Sequence, residues 1–193
     1  MEKPDSGSRS GMIREFSVDS LQWRENLLRD LKIDGVVVLD SVLPLDVCRE
    51  LCDLVGRGLQ IVEREIGADR LAYAREQGVL RFPLKFFPQF LCLLENRLVN
   101  ELVDHVIGKS AICHLMNAIL LRPNSNEFLN DYGDYFQSRF HRDFPRHLGG
   151  KPLSINAFYC LTDFSEENGS TRFILGSHQR DDTSPPESLG APA

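Results

Sequence analysis

The sequence predicts an α+β fold in which helices come first and strands follow. Three observations carry this. Apolar residues recur at helical spacing in three stretches before residue 108, apolar and aromatic runs of strand length dominate from residue 111 onward, and an Asn168-Gly169 turn joins two of those runs.

The first helical stretch covers residues 17–32, with Leu21, Leu27, Leu28 and Leu31 on its apolar side. Asp34-Gly35 ends it, and the short run at residues 36–39, three valines and Leu39, suits a buried strand. Pro44 opens the second helix, with Asp46 in its first turn, where both residue types favour a helix start. Val47, Leu51, Leu54, Val55, Leu59, Val62 and Ile66 follow at three- and four-residue steps, and Gly67 ends the helix; Gly56 and Gly58 weaken its middle. Residues 78–88 are aromatic and interrupted by Pro83 and Pro88, which predicts a loop with short extended pieces. Leu94, Leu98, Leu102 and Val106 mark the third helix over residues 91–107. Residues 111–121 read as extended and 122–126 as a turn. Strands are expected at 139–143, 153–161 and 171–175, the last two joined by the acidic turn at 166–169. Residues 1–16 read as a disordered leader and 181–193 as a flexible tail, leaving one domain over 17–180.

Composition narrows the function. The chain has 193 residues, 42% of them hydrophobic and 26% charged, an ordinary globular balance. It has no apolar run of about 18 residues, which excludes a helical membrane span, and its polar start lacks the apolar core of a secretory signal. A net charge of −6 argues against nucleic acid as a partner, because phosphate binding needs a basic face. Five cysteines, Cys48, Cys52, Cys92, Cys113 and Cys160, are odd in number and irregular in spacing, as expected of buried free thiols in the reducing cytoplasm.

The chemistry-bearing element is His141-Arg142-Asp143. Residues i and i+2 of a strand share a face, so an imidazole and a carboxylate at this spacing can converge on one metal ion. They supply two members of the 2-His-1-carboxylate facial triad of non-haem Fe(II) oxygenases, which leaves the opposite face open for co-substrate and O₂. Alone the triplet is weak, since a polar pair on a surface strand gives the same pattern. Around it Arg139, Arg142, Arg146, His147 and Lys151 form a basic cluster in an otherwise acidic chain, suited either to an anionic small-molecule substrate or to ordinary surface ion pairs. His105 and His114, set among apolar residues, read as core or surface histidines.

The triplet gains meaning from its neighbours. Asp34-Gly35 with its apolar run and Pro44 helix, then His141-Arg142-Asp143, then Asn168-Gly169 and Gly176-Ser177-His178 occur in the order found in the phytanoyl-CoA dioxygenase family, which the chain resembles over roughly residues 17–180. It departs from the family pattern at Leu175, where a proline is usual. The resemblance implies a double-stranded β-helix, or jelly roll, flanked by N-terminal helices. It also implies Fe(II) and 2-oxoglutarate as cofactors and oxidation of a small organic substrate coupled to decarboxylation of 2-oxoglutarate. By position, His141 and Asp143 become iron ligands. Phe158 falls beside 2-oxoglutarate, with Asn156 on the same strand face, and Gln137, Arg139 and Lys85 line the co-substrate site. The family's Ser-His element is structural, so the resemblance implies a third ligand on a later strand, followed by an arginine for the far carboxylate of 2-oxoglutarate. Neither stands after His178, so the jelly roll is expected to lack its last strands and the chain to be inactive alone. Two other functions fit the same residues: a non-catalytic jelly-roll binding module, and a cupin-like metal enzyme that uses His178 as its third ligand.

Overall fold

A computed structural model describes residues 15–16, 23–120, 141, 143, 152–165, 168 and 170–179. The turn expected at 122–126 and the tail at 181–193 lie outside the described residues, as does most of the leader. The chain divides into two units, residues 1–42 with 172–182, and residues 43–171 with 183–193.

In the first unit, β1 (Glu15–Phe16) pairs in parallel with β2 (Val38–Leu39), and α1 (Trp23–Asp34) lies between them in sequence. Glu15 and Phe16 were expected in a disordered leader; the run at 36–39 supplies them with a partner strand. The end of α1 is closed by residues distant in sequence. A helix leaves its last carbonyls without intrahelical donors. Here Gly35 N–H bonds the Leu31 carbonyl, and Gly176 N–H bonds that of Asp34 at 2.7 Å. The Lys32 carbonyl accepts from His178 Nε2 at 3.1 Å and from the Gln179 amide, both on the 3₁₀ turn Ser177–Gln179. Because a carbonyl only accepts, His178 carries its proton on Nε2. Gly35 has φ +80°, and a Cβ there would lie 2.3 Å from His178 Nδ1. Two of the signature elements, Asp34-Gly35 and Gly176-Ser177-His178, therefore form one contact.

The second unit is organised by α2 (Leu45–Ile66), which starts after Pro44 and stops at Gly67 with φ 94°, as the sequence predicts. Its apolar stripe buries Leu51, Leu54 and Val55 against Phe87 and Phe90, with Cys92, Leu93, Met116 and Leu161 at the margin. Each such side chain contributes about 1.5–3 kcal/mol by leaving water. A further helix, α3 (Ala68–Ala74), follows directly; it has no buried residue and gave no periodic signal. β3 (Val79–Arg81) pairs antiparallel with β4 (Asn117–Ile119), Val79 opposite Ile119 and Arg81 opposite Asn117. Between them the two prolines seed 3₁₀ turns, Pro83–Lys85 and Pro88–Phe90. The single helix expected over 91–107 is two, α4 (Leu91–Leu94) and α5 (Arg97–Val106). Asn96 separates them, because its side chain accepts the Val99 N–H and caps a new start, which the four-residue leucine period alone conceals.

The strands expected after residue 120 are not seen among the described residues. Residues 152–160 carry no strand pairing among the described residues, nor do 171–174. Alternating apolar residues favour extended backbone, but a strand also needs a neighbour about 4.8 Å away to complete its ladder. Of the turn expected at 166–169 only Asn168 is described: Asn168 N–H and Ser170 N–H both bond the Ser165 carbonyl, and Asn168 Oδ1 accepts from Ser165 N–H. The described architecture is a mixed helix–strand one with a small antiparallel sheet; a double-stranded β-helix is not seen in it. No described helix is long and apolar enough to cross a membrane. All five cysteines are free; Cys48, Cys52 and Cys92 are half-buried, and Cys113 and Cys160 are exposed where burial was expected, both outside helix and strand.

The two α2 glycines differ in surroundings. A Cβ on Gly56 meets nothing within 4 Å, whereas on Gly58 it would lie 2.5 Å from Cδ2 of the fully buried Leu80. Gly56→Ala should stabilise the protein by about 0.5–1 kcal/mol through helix propensity. Gly58→Ala should lower stability despite the same propensity gain, because α2 must move away from β3. Urea unfolding of the two variants checks this, and equal stabilisation by both would contradict the close approach.

Candidate metal centre

His141 and Asp143 meet. His141 Nε2 lies 3.5 Å from Asp143 Oδ1, with the two side chains 39% and 46% exposed and so reachable by an ion from solvent. His141 is not in a strand and Asp143 sits at a bend, so the convergence expected from strand alternation is reached here on irregular backbone. A carboxylate oxygen only accepts. With the imidazole neutral and Nε2 unprotonated, two lone pairs face each other, and a shared cation, proton or metal, stabilises the pair.

The donor set tests whether a divalent iron fits. One imidazole nitrogen and one carboxylate oxygen are the ligand types of the facial triad, and a 3.5 Å separation is bridged by an ion with ligand distances of about 2.1 Å. The pair therefore fits as a partial site. Among the described residues no group of three His, Cys, Asp or Glu is placed to hold a metal. His178, the alternative third ligand, has Nε2 committed to the Lys32 carbonyl and Nδ1 set against Gly35.

The other expected site residues divide. Asn156 joins the pair: its Nδ2 donates to Asp143 Oδ2 at 2.5 Å. Phe158, two residues on, is 63% exposed. Lys85 ends a 3₁₀ turn with its Nζ 5.3 Å from the centroid of the Phe86 ring. Gln137 and Arg139 lie outside the described residues, as do Arg142, Arg146, His147 and Lys151.

Sequence reasoning passed over Tyr159. Its hydroxyl donates to the Leu93 carbonyl at 2.9 Å, and Leu161 packs on the α2 core. These contacts tie the Asn156 segment to α4. The signal was present in the alternation itself, since Tyr159 falls opposite to Phe158 and Asn156 along an extended chain. Nearby, burial pushes the Cys92 thiol up, helped by the charges of Glu50 and Glu95, so it stays protonated and unreactive at neutral pH.

One imidazole paired with one carboxylate is the donor set of a candidate metal centre, and comparison with known sequences gives the family. The family model described as Phytanoyl-CoA dioxygenase (PhyH) matches residues 31–189, and the chain belongs to that family. An uncharacterized protein of Mycobacterium tuberculosis is 38% identical over 146 residues, 76% of this chain and 52% of that one. The iron/alpha-ketoglutarate-dependent dioxygenase penM of Penicillium thymicola is 27% identical over 173 residues, covering 78% and 50%. The dioxygenase trt7 of Aspergillus terreus is 25% identical over 166 residues, covering 80% and 55%. The chain thus spans about half the length of the curated relatives it matches. No solved structure matches it.

Tyr159 gives a pH test of the anchoring. Burial, with a smaller contribution from Cys92, pushes its phenol up to about 12 from the ordinary value near 10. A folded-state value above the unfolded one means that stability is unaffected by this group below about pH 10 and falls as pH rises through about 12. Spectrophotometric titration of phenolate should show one late-titrating tyrosine, lost in Tyr159→Phe.

Proposed function

We propose that this chain carries the His-x-Asp half of an Fe(II)/2-oxoglutarate-dependent dioxygenase acting on a small organic molecule. The observation that carries the reading is the convergence of His141 and Asp143 in a chain of the phytanoyl-CoA dioxygenase family. The printed name of the Penicillium relative, an iron/alpha-ketoglutarate-dependent dioxygenase, supports the choice of iron and 2-oxoglutarate. Bound iron and 2-oxoglutarate would supply O₂ activation and the oxidising equivalent, with succinate and carbon dioxide leaving.

The protein's own residues have separate tasks. His141 Nε2 and Asp143 Oδ1 would hold the metal, which would leave positions open for the co-substrate. The exposed Phe158 ring offers an apolar wall, and Lys85, with Arg139, offers a cation for the far carboxylate of 2-oxoglutarate. Desolvating that carboxylate without a cationic partner costs several kcal/mol. The family resemblance puts a further histidine and an arginine in the region that the relatives have and this chain does not span. A jelly roll completed by that region is the architecture we assign to the active protein. The basic residues around the motif suit an anionic substrate, and the free thiols suit a reducing compartment, the cytoplasm.

The 193-residue chain should release no appreciable succinate from 2-oxoglutarate. A chimera that continues it with the remaining half of the Mycobacterium tuberculosis relative should do so, and His141→Ala or Asp143→Ala in the chimera should abolish the signal. Succinate formation that survives both substitutions would overturn the reading.

A further inference from the structure

We propose that Asn156 is a positioning residue for the metal-binding carboxylate, in place of the co-substrate contact that its sequence position suggests. The inference rests on the iron-site reading above. Asn156 Nδ2 lies 2.5 Å from Asp143 Oδ2, while His141 Nε2 faces the other carboxylate oxygen, Oδ1. The two oxygens of one carboxylate thus have different partners. A carboxylate accepts only, so the amide presents its NH₂ group to Oδ2 and the bond has one possible direction. A donor on Oδ2 fixes the plane of the carboxylate about its last torsion and aims Oδ1 at the point shared with His141. Hydrogen bonds of this kind to a ligating group set its orientation, and their loss typically weakens metal binding about 10–100-fold.

The backbone explains why this particular residue can serve. Asn156 stands 13 residues from Asp143, on a segment held at its far end by Tyr159 on the Leu93 carbonyl and by Leu161 in the α2 core. The Asp143 carboxylate, on irregular and exposed backbone, has no strand ladder to set its direction. Asn156 brings that direction from the anchored side of the unit. An NH₂ group already engaged with Asp143 is also poorly placed to recognise a second carboxylate.

The test is Co(II) titration of the full 193-residue chain, followed by the visible absorption of the bound ion. Asn156→Leu, similar in shape and without a donor, should bind Co(II) about tenfold more weakly and shift the absorption band, with the thermal unfolding midpoint unchanged. Asn156→Ser, which keeps a donor, should recover part of the affinity, and it carries the test if the leucine variant does not fold. Asp143→Ala separates the two claims. If it abolishes binding while Asn156→Leu binds as tightly as the unchanged protein with the same spectrum, the positioning role is overturned and the metal site stands. If the unchanged chain does not bind Co(II), or Asp143→Ala binds it equally well, the metal reading falls and this proposal with it.

Discussion

The second unit depends on the burial of one helix face. Leu51, Leu54 and Val55 of α2 close over Phe87 and Phe90, and Cys92, Leu93, Met116 and Leu161 pack against that contact. The phenylalanines bracket the second proline-seeded 3₁₀ turn, Pro88–Phe90, so the position of α4, which starts at Leu91, follows from the same packing. From α4 the Leu93 carbonyl holds Tyr159, and from Tyr159 the chain runs back three residues to Asn156 and the Asp143 carboxylate. A site made of exposed side chains thus takes its geometry from an apolar core through two hydrogen bonds. Loss of core packing would reach the candidate site without touching any of its residues.

Where local chemistry decides structure, the sequence was readable. Pro44 and Gly67 bound α2 because one favours a helix start and the other tolerates φ 94° at its end. Asp34-Gly35 ended α1, with Gly35 at φ +80°. The split at Asn96 was hidden because leucines at four-residue steps run through it, and a cap is a property of one side chain rather than of a period. The later strands were least readable. Alternation at 153–161 favours extended backbone but cannot state what pairs with it. The candidate site shows the same division: the spacing singled out His141 and Asp143 as a pair, though not the irregular backbone on which they meet, while the bond from Asn156 spans 13 residues and only three dimensions reveal it.

Family signature and catalytic chemistry also part company in this chain. Among the described residues of the motifs that mark the family, only His141 and Asp143 contribute side chains to the candidate metal centre. Asn168 closes a turn by bonding the Ser165 N–H and the Asp163 carbonyl. Gly35 and His178 serve α1, where the imidazole closes a helix end and the missing Cβ makes room for it. A histidine in a recognisable motif is therefore no guide to a ligand until the partners of its nitrogens are known.

The closure of α1 has a kinetic side. His178 and Lys32 are 146 residues apart, so the last turn of α1 is made long before the groups that complete it. At ordinary translation rates the delay is on the order of ten seconds. During that interval the Lys32 and Asp34 carbonyls have only water as partners, and the helix end frays and reforms on a submicrosecond timescale. Bringing the distant turn to it then costs the entropy of a long loop, so the contact belongs among the last to form and the first to open.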